Sequence, residues 1–179
     1  IRKEVENEID LVLSTISDDY GFAYKKTVDE IVQKRLRKEI TSGIQTFQYQ
    51  INTLQTSNGQ APFLSVFMYI NEYPEYENET VMLINEMIEQ RIKGMQNEVG
   101  AWVTPAFPKL LYVTDENNIH KDSKYFYLTK LASECVAKRM MPDLISAKKM
   151  RENYENNIFG CMGCRAWLSP YKNENNEYI

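Results

Sequence analysis

The stretch PKLLYVTDEN, residues 108–117, is a run of apolar and β-branched residues between a proline and polar turn residues. A continuous apolar run of this length, bounded by Pro108 and Asp115, predicts a short strand that is covered on both faces. The stretch FLSVFMYI, residues 63–70, has the same character. Strands of this kind are typical of parallel sheets, in which helices cover the sheet. The sequence therefore predicts an α/β protein.

Helical patterns flank and separate these two strands. Apolar residues recur at helical spacing in residues 1–16, 27–54, 77–96 and 123–140, with a turn predicted at residues 57–62, a break at Pro142 and a short helix from Ser146. Helices that alternate with short buried strands predict parallel strands joined by helical crossovers. Because two strands do not close a sheet, the remaining strands are expected on sequence outside this chain.

Composition and charge limit the classes of partner. The 179 residues carry 21 basic and 25 acidic side chains, for a net charge of −4, without the basic surface that nucleic-acid binding requires. No segment approaches the ~20 apolar residues of a membrane helix, so no membrane association is predicted. The opening residues, IRKEVENEID, are charged and unlike a signal peptide, which with only three cysteines predicts a cytoplasmic protein. Because the chain starts with Ile1, we expect it to be a piece of a longer protein.

A second informative stretch, FGCMGCRAWLSPY at residues 159–171, places Cys161 and Cys164 three positions apart. A zinc knuckle needs a second pair of ligands, but Cys135 lies in a helical pattern and the single histidine, His120, lies in a polar and exposed stretch. We therefore predict no metal site, and a buried, inert Cys135. A redox dithiol normally follows an early strand, whereas this pair comes late. The two glycines favour a tight loop, which leaves core packing and a displayed reactive sulfur both open.

Four segments, taken together, resemble the anaerobic, glycyl-radical (class III) ribonucleoside-triphosphate reductases. In chain order they are NTLQTSNGQAPFLSVFMYI (52–70), TPAFPKLLYVTDENN (104–118), YLTKLASECVAKRMMPDLIS (127–146) and MGCRAWLSPY (162–171). Their order and spacing are similar to those of the family across residues 40–172, and residues 1–39 match it loosely. Four long blocks in order are far more specific than a single C-x-x-C pair.

The resemblance implies a fold and a place for the catalytic sulfur. It implies that this helix-rich chain is one partial domain of a ten-stranded α/β barrel, with residues 1–56 as a helical lead-in and residues 57–179 as barrel strands, helices and cysteine loop. In the family the M-G-C-R loop reaches the centre of the barrel, which implies that Cys164 is the thiyl residue. Met162 matches the methionine that assists reduction in family members that use formate.

Other positions in the matching segments are weaker candidates. Asn58 and Gln60 precede a predicted strand and are candidates for substrate contact, although turn formation alone explains Asn58. Arg165 is expected either to bind a phosphate or, as we favour, to hold the loop through a carboxylate. Cys161 is interpreted as a small residue at the base of the loop, and a redox role for it stays open.

The resemblance also implies substrates and partners. It implies conversion of ribonucleoside triphosphates to deoxyribonucleoside triphosphates with formate as the reductant, under deoxynucleotide and ATP effectors, in a homodimer. A glycyl radical, generated by a radical S-adenosylmethionine activating enzyme, and a zinc site are expected outside this chain, so the chain alone should hold no cofactor and be inactive. Two alternatives are a non-catalytic α/β interaction or regulatory domain derived from the barrel, and another glycyl-radical enzyme such as a formate acetyltransferase.

Overall fold

The computed structural model describes residues 1–13, 21–54, 59–60, 62–163, 166–167, 173–175 and 177. The chain divides into two compact units, residues 1–45 and residues 46–179. The predicted boundary between a helical lead-in, residues 1–56, and a barrel part, residues 57–179, stays a prediction. Within the described ranges, no helix combines the length and the apolar character that crossing a membrane would require.

The first unit is helical, as its apolar periodicity predicts. It contains α1 (Arg2–Leu13) and the N-terminal part of α2 (Gly21–Thr53), which begins earlier than the predicted residue 27. The two helices share a buried cluster of valines, packed against partly buried isoleucines: Val5, Val28 and Val32 with Ile9 and Ile31. The ion pairs of these helices, such as Arg2 with Asp29, are exposed and screened by solvent, so apolar burial dominates the pairing.

The second unit contains a parallel sheet, which confirms the predicted α/β class. Its strands are β1 (Ser65–Met68), β2 (Met95–Gln96), β3 (Trp102–Val103), β4 (Lys109–Thr114) and β5 (Asp143–Ser146). Its helices, besides two single 3-10 turns and the C-terminal part of α2, are α3 (Glu77–Lys93), α4 (Glu116–Ile119), α5 (Phe126–Arg139) and α6 (Ala147–Asn153). Strand β4 lies between β1 and β5 and is parallel to both, while β2 and β3 form a separate antiparallel hairpin.

Two local predictions are wrong. The helix predicted over residues 77–96 ends at Lys93, because Gly94 adopts a φ of +87° and residues 95–96 pair as β2. Residues 143–146, predicted only as the connection between a break and a helix, form the third parallel strand β5. Only one of these four residues is buried, so the strand has no apolar run that a sequence pattern would detect.

The two faces of the sheet are covered differently. Successive residues of a strand point to opposite faces, which separates Leu110 and Tyr112 from Leu111 and Val113. All four side chains are fully buried. The hydroxyl of Tyr112 lies 3.0 Å from the hydroxyl of Thr129, which places α5 on the Tyr112 face. The opposite face, which carries Leu111, is covered by the segment that follows β5.

Two glycines should respond in opposite directions to alanine substitution. At Gly94, a Cβ would lie 2.6 Å from the carbonyl oxygen of Val103, and the positive φ is unfavourable for alanine. Gly94→Ala should therefore destabilise the unit by about 1–3 kcal/mol. Gly43 lies inside α2 with no atom within 4 Å of an added Cβ, so Gly43→Ala should stabilise by about 0.5–1 kcal/mol. Thermal unfolding of both variants tests this, and a Gly94→Ala midpoint equal to that of the wild type would contradict it.

Candidate active site at the cysteine turn

The segment after α6 packs across the Leu111 face of the sheet. Cys161, at its centre, is 5% exposed and lies in a buried cluster with Leu111, Val113, Ile145, Ala147 and Met150. At Gly160 an added Cβ would lie 3.2 Å from a ring carbon of Phe67, so the backbone passes close to β1. Cys161 therefore packs as a small buried residue at the base of the loop.

Aromatic rings hold the two ends of this segment together. The rings of Tyr154 and Phe159 are 4.9 Å apart and nearly perpendicular, and the ring of Trp167 lies 6.2 Å from that of Phe159. Edge-to-face pairs of this kind add about 0.5–1.5 kcal/mol each beyond their buried area. The chain before the cysteine pair and the chain after it are thus held in one apolar cluster.

A narrow turn lies between these ends. The backbone N–H of Met162 donates to the carbonyl of Ala166 at 2.8 Å, and the N–H of Ala166 donates back at 2.9 Å. Gly163 follows with a φ of +54°, in the left-handed region that favours glycine. Cys164 and Arg165, which come next, are outside the described residues, and their roles stay predictions.

The other predicted site residues are placed as follows. The side chain of Met162 is 61% exposed, so it is not part of the described core, and its assistance to the chemistry stays a prediction. Gln60 is exposed, and Asn58 lies outside the described residues. His120 is exposed, as predicted, with its ring 3.1 Å from Glu116.

A partly buried ion pair contacts the turn. It lies at the end of the sheet where β4 and β5 begin, whereas Asp115 lies at the end where β4 finishes. Lys109 and Asp143 are the first residues of β4 and β5, and their Nζ and Oδ2 atoms are 2.9 Å apart. The same Nζ donates to the carbonyl of Gly163 at 3.2 Å. The two side chains are 13% and 23% exposed, so this contact is largely shielded from water.

A second polar cluster, which the sequence patterns did not reveal, lies where β1 and β4 end. Arg151 of α6 donates to both carboxylate oxygens of Asp115, at 3.0 and 2.6 Å. Tyr69 and Asn71 donate to the same carboxylate, and the backbone N–H of Glu116 donates to it at 3.0 Å as α4 begins. This cluster joins α6, which directly precedes the cysteine segment, to the central strand.

The charges in this cluster stabilise each other. Burial alone would raise the pKa of Asp115, but the hydrogen bonds from Arg151, Glu116 and Asn71 outweigh it and hold that pKa below its ordinary value. The hydrogen bond to Asp115 raises the pKa of Arg151 in turn. The carboxylate and the guanidinium therefore both stay charged at neutral pH.

Cys135 differs from the cysteine pair in its surroundings. It is fully buried in α5, as predicted, and burial raises the pKa of its thiol to about 11. Such a thiol is almost wholly protonated at neutral pH and is a poor nucleophile. Within the described residues, no group of three or more histidine, cysteine, aspartate or glutamate side chains is placed to hold a metal ion.

The described geometry is that of an α/β domain in which the segment containing Cys161 packs on one face of a parallel sheet. The sequence pattern of the anaerobic ribonucleoside-triphosphate reductases matches residues 10–178. The chain therefore belongs to the anaerobic ribonucleoside-triphosphate reductase family.

Its similarity to individual relatives is consistent with this assignment. An anaerobic ribonucleoside-triphosphate reductase of enterobacteria phage T4 is 34% identical over 150 residues, covering 82% of this chain and 24% of the relative. Proteins of the same name from Salmonella typhimurium and Escherichia coli K12 are 30% and 29% identical over 182 aligned positions, covering 97% of this chain and 24% of each relative. The chain thus spans about a quarter of the length of these curated relatives.

Proposed function

We propose that this chain is part of the catalytic barrel of a longer enzyme that reduces ribonucleoside triphosphates to deoxyribonucleoside triphosphates by radical chemistry, with Cys164 as the thiyl residue. The observation that carries the proposal is how the described residues on either side of Cys164 are held. Met162 and Ala166 are bridged, and Cys161 packs on the sheet. A reactive sulfur on a turn held in this way can meet a substrate in a defined geometry, which is a large source of rate enhancement.

The ten-stranded barrel of the longer enzyme is part of the proposal. Among the described strands, β1 and β5 each pair on one side only, with β4. Apolar side chains near these two edges, such as Phe63 and Leu144, are about half exposed. Unpaired strand edges and exposed apolar side chains are the features expected where further strands join a sheet.

In the proposed reaction, the sulfur of Cys164 removes a hydrogen atom from the substrate in the first step and returns it in the last. The thiyl form takes the 3′ hydrogen of the ribose, so that an S–H bond forms as the C–H bond breaks. The 2′ hydroxyl leaves as water after gaining a proton, two electrons from formate reduce the sugar, and the 3′ hydrogen returns. The net reaction consumes one ribonucleotide, one formate and one proton, and it yields one deoxyribonucleotide, one carbon dioxide and one water.

Formate is proposed as the reductant because of Met162. Its side chain is exposed beside the turn, where it is accessible to a small reactant. Outside this chain, a glycyl radical would supply the unpaired electron to the cysteine. The radical S-adenosylmethionine activating enzyme, the separate zinc site, nucleotide effectors, a homodimeric assembly and a cytoplasmic location belong to the same proposal.

The direct test is reduction by the full-length protein after anaerobic activation. We expect each deoxyribonucleoside triphosphate formed to be matched by one carbon dioxide released from labelled formate. Reduction that needs a dithiol instead of formate would refute the choice of reductant. A glycyl radical without any nucleotide reduction would identify a different glycyl-radical enzyme, and the absence of both would favour the interaction or regulatory domain.

A further inference from the structure

We propose that Lys109, held by Asp143, is a positioning residue for the catalytic cysteine: it fixes the peptide unit that joins Gly163 to residue 164. This inference rests on the proposed function of Cys164. Lys109 stands at the start of the central strand β4, and its ammonium group contacts the turn directly through the carbonyl of Gly163.

The contact controls the orientation of one peptide unit. A peptide bond is planar, so a hydrogen bond to the carbonyl of Gly163 also orients the amide nitrogen that belongs to the next residue. Gly163 has a φ of +54° and no Cβ, and glycine is the residue with the widest choice of backbone conformations. A peptide next to such a residue needs an external partner to hold one orientation, and Lys109 provides it.

The ion pair makes Lys109 a well-placed donor. A lysine ammonium has three N–H donors. The nitrogen that donates to Gly163 lies 2.9 Å from the Oδ2 atom of Asp143, its ion-pair partner. Asp143 is itself part of the sheet, where it is paired in register with Leu111. The lysine is therefore held by an ion pair between two neighbouring strands, and its hydrogen bond to Gly163 reaches the turn from a rigid support.

The charge arrangement favours positioning over direct binding of a phosphate. The ammonium charge of Lys109 is already balanced by the carboxylate of Asp143 at 2.9 Å, and both side chains are mostly shielded from solvent. A phosphate-binding lysine would need its charge available to the ligand. The expected signature is therefore a change in turnover and not in substrate affinity.

The test compares three variants of the full-length protein: Lys109→Met, Lys109→Arg and the control Lys124→Met. Lys124 is in the same compact unit and pairs with Glu77 at 2.7 Å, but this pair is on the surface away from the turn. We expect Lys109→Met to lower kcat by about 10- to 100-fold, the scale on which small misplacements act. In Lys109→Met, KM and the yield of glycyl radical should stay near their wild-type values. Lys109→Arg should retain part of the kcat that Lys109→Met loses. Lys124→Met should leave kcat, KM and the radical yield unchanged.

Several results would overturn the proposal. One is that Lys109→Met has the same kcat as the wild type when kcat is normalised to the amount of glycyl radical. Another is that Lys109→Met raises KM and leaves kcat unchanged. An equal loss in Lys109→Arg would show that side-chain shape, and not hydrogen-bond donation, is what matters. If Lys109→Met does not fold, Lys109→Arg and Asp143→Asn take its place, and an unchanged kcat per radical in both would refute positioning.

A second measurement separates this proposal from the proposed reaction. Hydrogen exchange of the peptide covering residues 157–167 reports on the bridging amides of Met162 and Ala166 without any turnover. We expect faster exchange in Lys109→Met than in Lys124→Met. If the wild type reduces no nucleotide, the proposed function fails, and equal exchange in the two variants would then refute the positioning role independently.

Discussion

Cys164→Ala should abolish ribonucleotide reduction by the full-length protein, by at least about a thousandfold in kcat, while the glycyl radical still forms. The physical reason is that alanine has no group able to take and return the 3′ hydrogen of the ribose. The radical signal after anaerobic activation and the formation of deoxyribonucleotide are the two measurements. Radical without product is the expected combination.

The other two cysteines of the chain provide matched controls. Cys135 is fully buried with a thiol pKa of about 11, and Cys161 is 5% exposed within the apolar cluster under the turn. Cys135→Ala and Cys161→Ala each remove one buried sulfur and should leave nucleotide reduction within a few-fold of wild type. If Cys161→Ala abolishes reduction and Cys164→Ala does not, Cys161 is the reactive sulfur and the assignment of the MGCR motif is wrong.

Arg151→Met should cause the largest loss of stability among the substitutions considered. It leaves the carboxylate of Asp115, whose side chain is 5% exposed, without its bidentate partner. Removing one partner of a buried ion pair costs about 3–5 kcal/mol, and because Arg151 is 34% exposed we expect about 2–4 kcal/mol. Hydrogen exchange of the amides of β4 and α6 in the full-length protein measures this locally.

A lysine on the same helix is the control. Lys149→Met removes an exposed i,i+3 pair with Glu152, which solvent screens, and should leave the exchange free energies of β4 and α6 nearly unchanged. Equal effects of Arg151→Met and Lys149→Met would contradict the importance of the Asp115 cluster.

The effect of Arg151→Met should depend on pH in a defined direction. The folded-state pKa of Asp115 lies below its unfolded value of about 3.9, so its stabilising contribution is fully present above that value. It is lost as the pH falls through the lower, folded-state pKa. The difference in stability between wild type and Arg151→Met should therefore be constant near neutral pH and shrink below about pH 4. A difference that grows with acid would contradict this assignment.

Local patterns predicted those elements whose residues are apolar in a regular order. Strand β4 is the clearest case, since four of its six residues are buried, and its parallel direction relative to β1 follows from the helical crossover between them. Strand β5 was not predicted, because it has four residues of which one is buried. Its place beside β4 depends on backbone pairing, which any residue except proline can make.

The candidate site was predictable to a similar extent. The matching segments led to the turn itself, and the sequence context indicated that Cys161 packs at its base. The charged side chains that contact the turn or the strand beneath it carried no comparable sequence signal. The reason is that a lysine or an arginine near an apolar run is usually a solvated side chain.

The sequence by itself determined the α/β class, the parallel direction of its two apolar strands and the family, because periodic burial and the four matching segments are properties of residues close together along the chain. Only the tertiary structure decided which charged groups meet. Lys109 reaches Gly163 across 54 residues, and Asp115 reaches Arg151 across 36. Such contacts depend on how strands are ordered and how far a side chain extends, and neither is encoded in a local pattern. The cysteine turn was therefore recognisable from its motif, whereas the side chains that hold it became identifiable only when the sheet brought them together.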